Sequence, residues 1–146
     1  MKLRLIKSMW GVPPPSPPST HLSVLQSLQK LGYVGCEVIS FGYNDPAFVR
    51  ACTATGMILL PQLHTGGGYA DPKTGEYVYI GTLSVAGHLE SLKKELGVVM
   101  KLKIRNPTLR MEVVNVHAGV DTFVHDEEKR REFIEGWVKV VSEVRM

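Results

Sequence analysis

The stretch Val113–Asp121, VVNVHAGVD, decides how the rest of the chain is read. Val113, Val114 and Val116 are apolar, and Asn115 alone interrupts them. An apolar run with one polar position is the pattern of a strand buried on both faces, as in a parallel sheet. The run then turns polar at His117, Gly119 and Asp121, as a strand does where it leaves a sheet into a loop. In α/β folds, ligands bind at those carboxyl ends.

Working outward, three similar strands precede this one, which spans Arg110–Val116. Met57-Ile58-Leu59-Leu60 is the third, and Pro61 predicts that its ladder stops there. Tyr33–Ile39 is the second, with Glu37 inside its apolar run. A charge in a buried strand is costly unless it is paired or faces a ligand. Two alternatives follow: a Lys or Arg at the core edge partners Glu37, or Glu37 points into a polar pocket. Lys2–Met9 alternates as a first strand and is closed by Trp10-Gly11.

Helical patterns fill the gaps. One runs from about Ser19 to Leu31, capped by Ser19 or Thr20, with Leu22, Leu25 and Leu28 on one side and Gly32 as its stop. A short one starts at Pro46, capped by Asp45, faces inward with Phe48, Ala51 and Cys52, and ends at Thr55-Gly56. Ser84–Ile104 keeps the three-four spacing through Leu89, Leu92, Leu96 and Val99, and Asn106-Pro107 breaks it. The last runs from its cap at Asp126 to Glu143, with an apolar stripe of Phe133, Trp137, Val140 or Val141, and Val144. Five prolines between Pro13 and Ser19 make a stiff extended loop, and Ser40–Asp45 reads as another loop. The segment QLHTGGGYADPKTGEY lacks the Gly-Lys-Ser/Thr of a phosphate loop, and its length predicts a lid or small hairpin, with Tyr77–Ile80 as one arm.

The order βαβαβαβα predicts an α/β fold with a parallel sheet and right-handed crossovers. A closed barrel needs eight such units. The 146 residues therefore read as a single domain, either a small open sheet or a parallel (βα)4 half of a TIM-type barrel completed by a second chain. A net charge of +3 without a basic block argues against nucleic acid. No apolar run reaches membrane-span length and no signal-peptide core follows the basic start, so no membrane is expected. Cys36 and Cys52 fit neither a metal spacing nor a disulfide framework, and read as buried free thiols of a cytoplasmic protein.

The opening KLRLIKSMWG, the Gly-Tyr-x-Gly-x-Glu step at Gly32–Glu37, the HLESLKKEL helix at His88–Leu96 and VNVHAGVD at Val114–Asp121 together carry a resemblance. The chain resembles the sugar phosphate isomerase/epimerase proteins of the xylose isomerase-like TIM-barrel type, over the first half of a family member. The resemblance implies isomerisation or epimerisation of a small polyhydroxylated or sugar-phosphate substrate. It also implies a divalent cation at the barrel mouth, whose usual acidic and histidine ligands lie on later strands that this chain lacks. No metal ligand is therefore assigned. At the matching positions His117, His64 and Glu37 are expected to be catalytic. Trp10, Asp121 and Asn115 are expected to bind substrate, with Asp121 alternatively orienting His117 through one ring nitrogen. Moving a proton beside a carbonyl needs a base and a group to hold the developing oxyanion, and these residue types suit both tasks. His21, His88 and His125 are expected to be ordinary structural histidines.

A missing second half leaves open strand edges and an apolar face, which favour a homodimer or higher assembly. A fragment of a longer product would read the same way. The alternative function is a non-catalytic binding or structural domain that keeps the fold without the metal half.

Overall fold

The structure is a computed structural model that describes residues 4–10, 12, 15–16, 20–65, 69–70, 77–78, 84–118 and 125–143. Its elements are β1 (Leu5–Ser8), α1 (His21–Lys30), β2 (Tyr33–Val38), α2 (Ser40–Tyr43), α3 (Pro46–Thr55) and β3 (Ile58–Thr65), followed by β4 (Tyr69–Ala70), β5 (Tyr77–Val78), α4 (Val85–Arg105), β6 (Asn115–Ala118) and α5 (Glu127–Glu143). The main strands form one sheet in the order β1-β2-β3-β6, and β4 and β5 form a separate antiparallel hairpin inside the long glycine-rich segment. This is the expected α/β arrangement, a (βα)4 half-barrel with an open parallel sheet. The chain forms two compact units, Met1–Gln62 with Lys101–Asn115, and Leu63–Met100 with Val116–Met146.

In the first unit, local chemistry places each helix. Thr20 caps α1 reciprocally: its Oγ1 accepts from the Ser23 amide at 3.2 Å, and Ser23 Oγ accepts from the Thr20 amide at 2.9 Å. Gly32, at φ +89°, turns the chain back into β2. Asp45 Oδ1 accepts from the Ala47 amide at 2.8 Å, Pro46 opens α3, and Gly56 ends it in the left-handed region. Helix α1 packs on α3, and Gln29 Nε2 ties the pair by donating to the Thr55 carbonyl at 2.8 Å. The Ser40–Asp45 loop contains the single turn α2. Tyr43 is buried there, and Gly42 lets the turn lie on Val38, whose Cβ would be 2.8 Å from a side chain at Gly42.

Parallel register sets Ser8 beside Glu37 on β1 and β2, and Glu37 beside Leu60 on β2 and β3. Alternation then sends Cys36, Val38, Leu59 and Pro61 to the opposite face from Glu37. Leu25, Cys36, Cys52 and Leu59 are fully enclosed. Burial pushes the Cys36 thiol up to about 11 against the pull of Lys7, and the Cys52 thiol up to about 12 with a further push from Cys36. Both thiols stay neutral in the folded chain, whereas unfolded thiols ionise near about 8.5. Stability is therefore expected to fall as pH rises from about 8 to about 10, because only the unfolded chain releases those protons. Urea unfolding at the two pH values, together with thiol-reagent kinetics that are slow until the chain unfolds, checks this.

Two strand boundaries differ from the sequence reading for one reason. The strand β3 runs past Pro61 to Thr65, with Val38 still in register beside Pro61. The amide of Leu59 donates to the Arg110 carbonyl at 2.8 Å. Alternation turns the nitrogen of Pro61 to that same side, where it has no proton to give. The missing donor therefore falls on the incoming segment and leaves the β2 ladder intact. That segment, expected as strand from Arg110, becomes β6 only at Asn115.

An ion pair spans the sheet within this unit. Arg4, just before β1, reaches Glu112, just before β6, at 2.7 Å, and Arg110 holds the same carboxylate at 3.0 Å. These segments lead into opposite edges of the sheet. A flat sheet would separate those edges by about 14 Å, near the full reach of the two side chains, and the pair accords with the curl of the open sheet. Hydrogen bonds from Arg110 and then Arg4 hold the Glu112 carboxyl below its ordinary pKa.

In the second unit, α4 passes through Gly97 without a break, and Ser84 Oγ accepts from the Gly87 amide at 3.2 Å at its start. Nothing lies within 4 Å of a Cβ built at Gly97. Gly97→Ala is expected to stabilise the protein by about 0.5–1 kcal/mol, read as a higher thermal midpoint. Asp126 caps α5 by accepting from the Lys129 amide at 3.0 Å. Val85, Leu89 and Phe133 form the apolar contact between the two helices. His88 is 1% exposed, with its ring edge-on to Phe133, so it is a core residue. The expected stripe on α5 is corrected in part: Phe133 is buried and Val140 half-buried, but Trp137 and the alternative Val141 are 36% and 45% exposed. Val144 lies outside the described residues. Gly136 offers no side chain, so Leu89 sits against it and the contact line runs through Phe133 and Gly136. That rotates Trp137 and Val141 outward, beside Ile134 and Val138. Among the described residues, no helix is long and apolar enough to cross a membrane.

Candidate functional site

Glu37 sits near the carboxyl end of β2, half-buried, with Ser8 and Leu60 as its register neighbours. Its partner is neither a lysine nor an arginine. Asn115 Nδ2 donates to Glu37 Oε1 at 2.7 Å, joining residues 78 positions apart. Asn115 opens β6, and β3 lies between β6 and β2 in the strand order, so the two side chains meet across β3. The bond is charge-assisted, because a neutral amide satisfies one carboxylate oxygen without cancelling the charge. Lys7 alternates to the other face, where it acts on Cys36.

Trp10 follows β1 two residues after Ser8 and is 64% exposed. The Met9 amide donates to the Glu37 carbonyl at 2.9 Å, which carries the end of β1 past Glu37. Glu37, Asn115 and Trp10 thus belong to one unit, and the first two are bonded directly. His64 lies near the end of β3, half-buried, in the second unit. His117 is on β6, the strand beside β3. The His117 side chain and all of Asp121 lie outside the described residues. Among the described residues, no group of three His, Cys, Asp or Glu side chains stands together as a metal site.

Sequence reasoning singled out Glu37 and Asn115 separately, as polar interruptions of apolar strands, and missed that one holds the other. It also passed over Ser8, which only the β1–β2 register brings beside Glu37. Elsewhere in the first unit, His21 Nε2 pairs with Asp45 Oδ2 at 2.9 Å and its ring meets Phe48 edge-on. Desolvation pushes the Asp45 carboxyl up, but the Ala47 amide and His21 outweigh it and its pKa lies below the ordinary value. This pair joins the starts of α1 and α3, a structural task, as expected of His21.

No known protein family, curated protein or solved structure matches the chain. The class that fold and site define is a TIM-barrel-like (βα)4 half-barrel.

Proposed function

We propose that this half-barrel is a binding domain for a small polyhydroxylated ligand and carries no catalysis of its own. The observation that supports it is the Glu37–Asn115 pair, half-buried near the ends of parallel strands. A carboxylate accepts hydrogen bonds from hydroxyl groups, and a few such placed polar groups orient a ligand. The exposed indole of Trp10, at the end of the neighbouring strand, offers an apolar surface for the C–H side of a sugar ring. The resemblance to sugar phosphate isomerases supports the same ligand class.

A second reading is isomerase or epimerase activity, favoured by His64 near the end of β3 and His117 on β6, side chains of the type that move protons near neutral pH. This reading needs a second chain to complete the site, and a divalent cation if the chain follows the family it resembles. Calorimetric titration with neutral and phosphorylated aldoses and ketoses, with and without Mn²⁺, separates the readings when solvent-deuterium incorporation is followed in parallel. Saturable binding without deuterium uptake is the expected result. Deuterium at the carbon beside the carbonyl would establish the enzyme reading, and no binding to any sugar would end the first.

The exposed apolar run Ile134, Trp137, Val138 and Val141 on α5 supports association between copies of the chain. A homodimer is the expected species in sedimentation velocity at micromolar concentration, and a persistent monomer would overturn it. Two free, buried thiols accord with a reducing cytoplasmic setting.

A further inference from the structure

We propose that Asn115 is a positioning residue which orients Glu37 and commits this site to a neutral, hydroxyl-bearing part of the ligand. The proposal rests on the binding reading above. An amide N–H can only donate, so Glu37 Oε1 must accept at that contact. Fixing one oxygen fixes the plane of the carboxylate, whose terminal torsion is otherwise broad. The second oxygen, Oε2, accepts no hydrogen bond among the described residues and keeps its capacity to accept one. What it takes is a hydroxyl donor. A phosphate or carboxylate brought to the same place would meet a like charge that the neutral amide does nothing to offset. Any phosphate on the ligand must therefore lie away from Glu37.

Asn115→Asp tests this by replacing a donor with a second carboxyl at the same spacing. Two carboxyls that close share one proton. While the proton is held, the introduced carboxyl can donate as the amide did. Once it is lost, the two repel and the orientation goes. The groups around the pair leave this titration its own: Ser8 and Leu60 flank Glu37, Lys7 faces the other side, and Arg4, Arg110 and Glu112 are paired together upstream of β6. His64 and His117 lie farther along β3 and β6. His117 lies two positions from the introduced carboxyl on β6, so the ratio of variant to wild type is taken with and without His117→Gln in both proteins.

Calorimetry with D-fructose as the neutral probe and fructose 1,6-bisphosphate as the anionic one gives the affinities. Wild type is expected to bind the neutral probe at least about tenfold tighter. Asn115→Ala is expected to lose about tenfold in affinity through the freed carboxylate, with little change in melting temperature. For Asn115→Asp, the ratio of variant to wild-type affinity is expected to fall at least about tenfold as rising pH removes the proton that the two carboxyls share. Unchanged binding by Asn115→Ala, a ratio flat in pH, or equal affinity for both probes would overturn the proposal. Carboxyl ¹³C spectra of the ligand-free proteins separate its failure from that of the binding reading. If wild type binds neither sugar, the binding reading falls and takes the ligand assignment with it. The positioning role then stands if the two carboxyls of Asn115→Asp titrate as a coupled pair, and falls if they titrate independently.

Discussion

Replacing Gly35 with alanine is expected to destabilise the protein by about 2–4 kcal/mol. Gly35 lies in β2, between β1 and β3, in register with Ile6 on one side and Ile58 on the other. A Cβ there would lie 2.6 Å from the Ile58 carbonyl oxygen, 2.8 Å from Ile6 Cδ1 and 2.9 Å from Ile58 Cβ. The end of the Ile6 side chain can rotate away. The Ile58 carbonyl belongs to the strand paired with β2, and moving it disturbs that ladder. Urea denaturation should show a lower midpoint at an unchanged slope. A variant within about 0.5 kcal/mol of wild type would mean that β2 and β3 do not approach this closely. Gly136→Ala makes the contrast. The atom it meets is the flexible end of Leu89, and the helix gains propensity worth about 1 kcal/mol, so its net effect should be much smaller.

The second large effect falls on binding. Glu37→Gln removes the charge and leaves the shape. The new amide can turn its oxygen toward Asn115 Nδ2 and keep that bond, so the fold should change by less than about 0.5 kcal/mol. The ligand then meets an N–H where it met a carboxylate oxygen. Loss of a charge-assisted hydrogen bond is worth about 1.5–3 kcal/mol, roughly 10- to 150-fold in affinity. Calorimetry with D-fructose beside a thermal melt measures both sides of this claim. If the variant binds as wild type does, the ligand is not reading the carboxylate.

The two effects differ in how far they were legible beforehand. Thr20, Asp45 and Asp126 could be named as caps, and Gly32 and Gly56 as stops, because each acts within a few residues of itself. The order of strands and helices was legible from periodicity for the same reason. Pro61 was misread as a terminator because its effect depends on which neighbour its nitrogen faces, and register decides that. Trp137 was misread as core, and Val140 and Val141 could not be told apart, because the helical period shows that an apolar face exists but not which angle of it meets α4. Gly136 against Leu89 settles that angle.

By itself, then, the sequence determined a chain of alternating strands and helices, and it marked Glu37 and Asn115 as polar residues inside apolar strands. Only the tertiary structure decided that these two meet. Their 2.7 Å contact spans 78 residues and depends on β6 following β3 in the sheet. Local propensity acts over a turn or two of chain, whereas the partner of a half-buried charge is set by which strands the fold lays side by side.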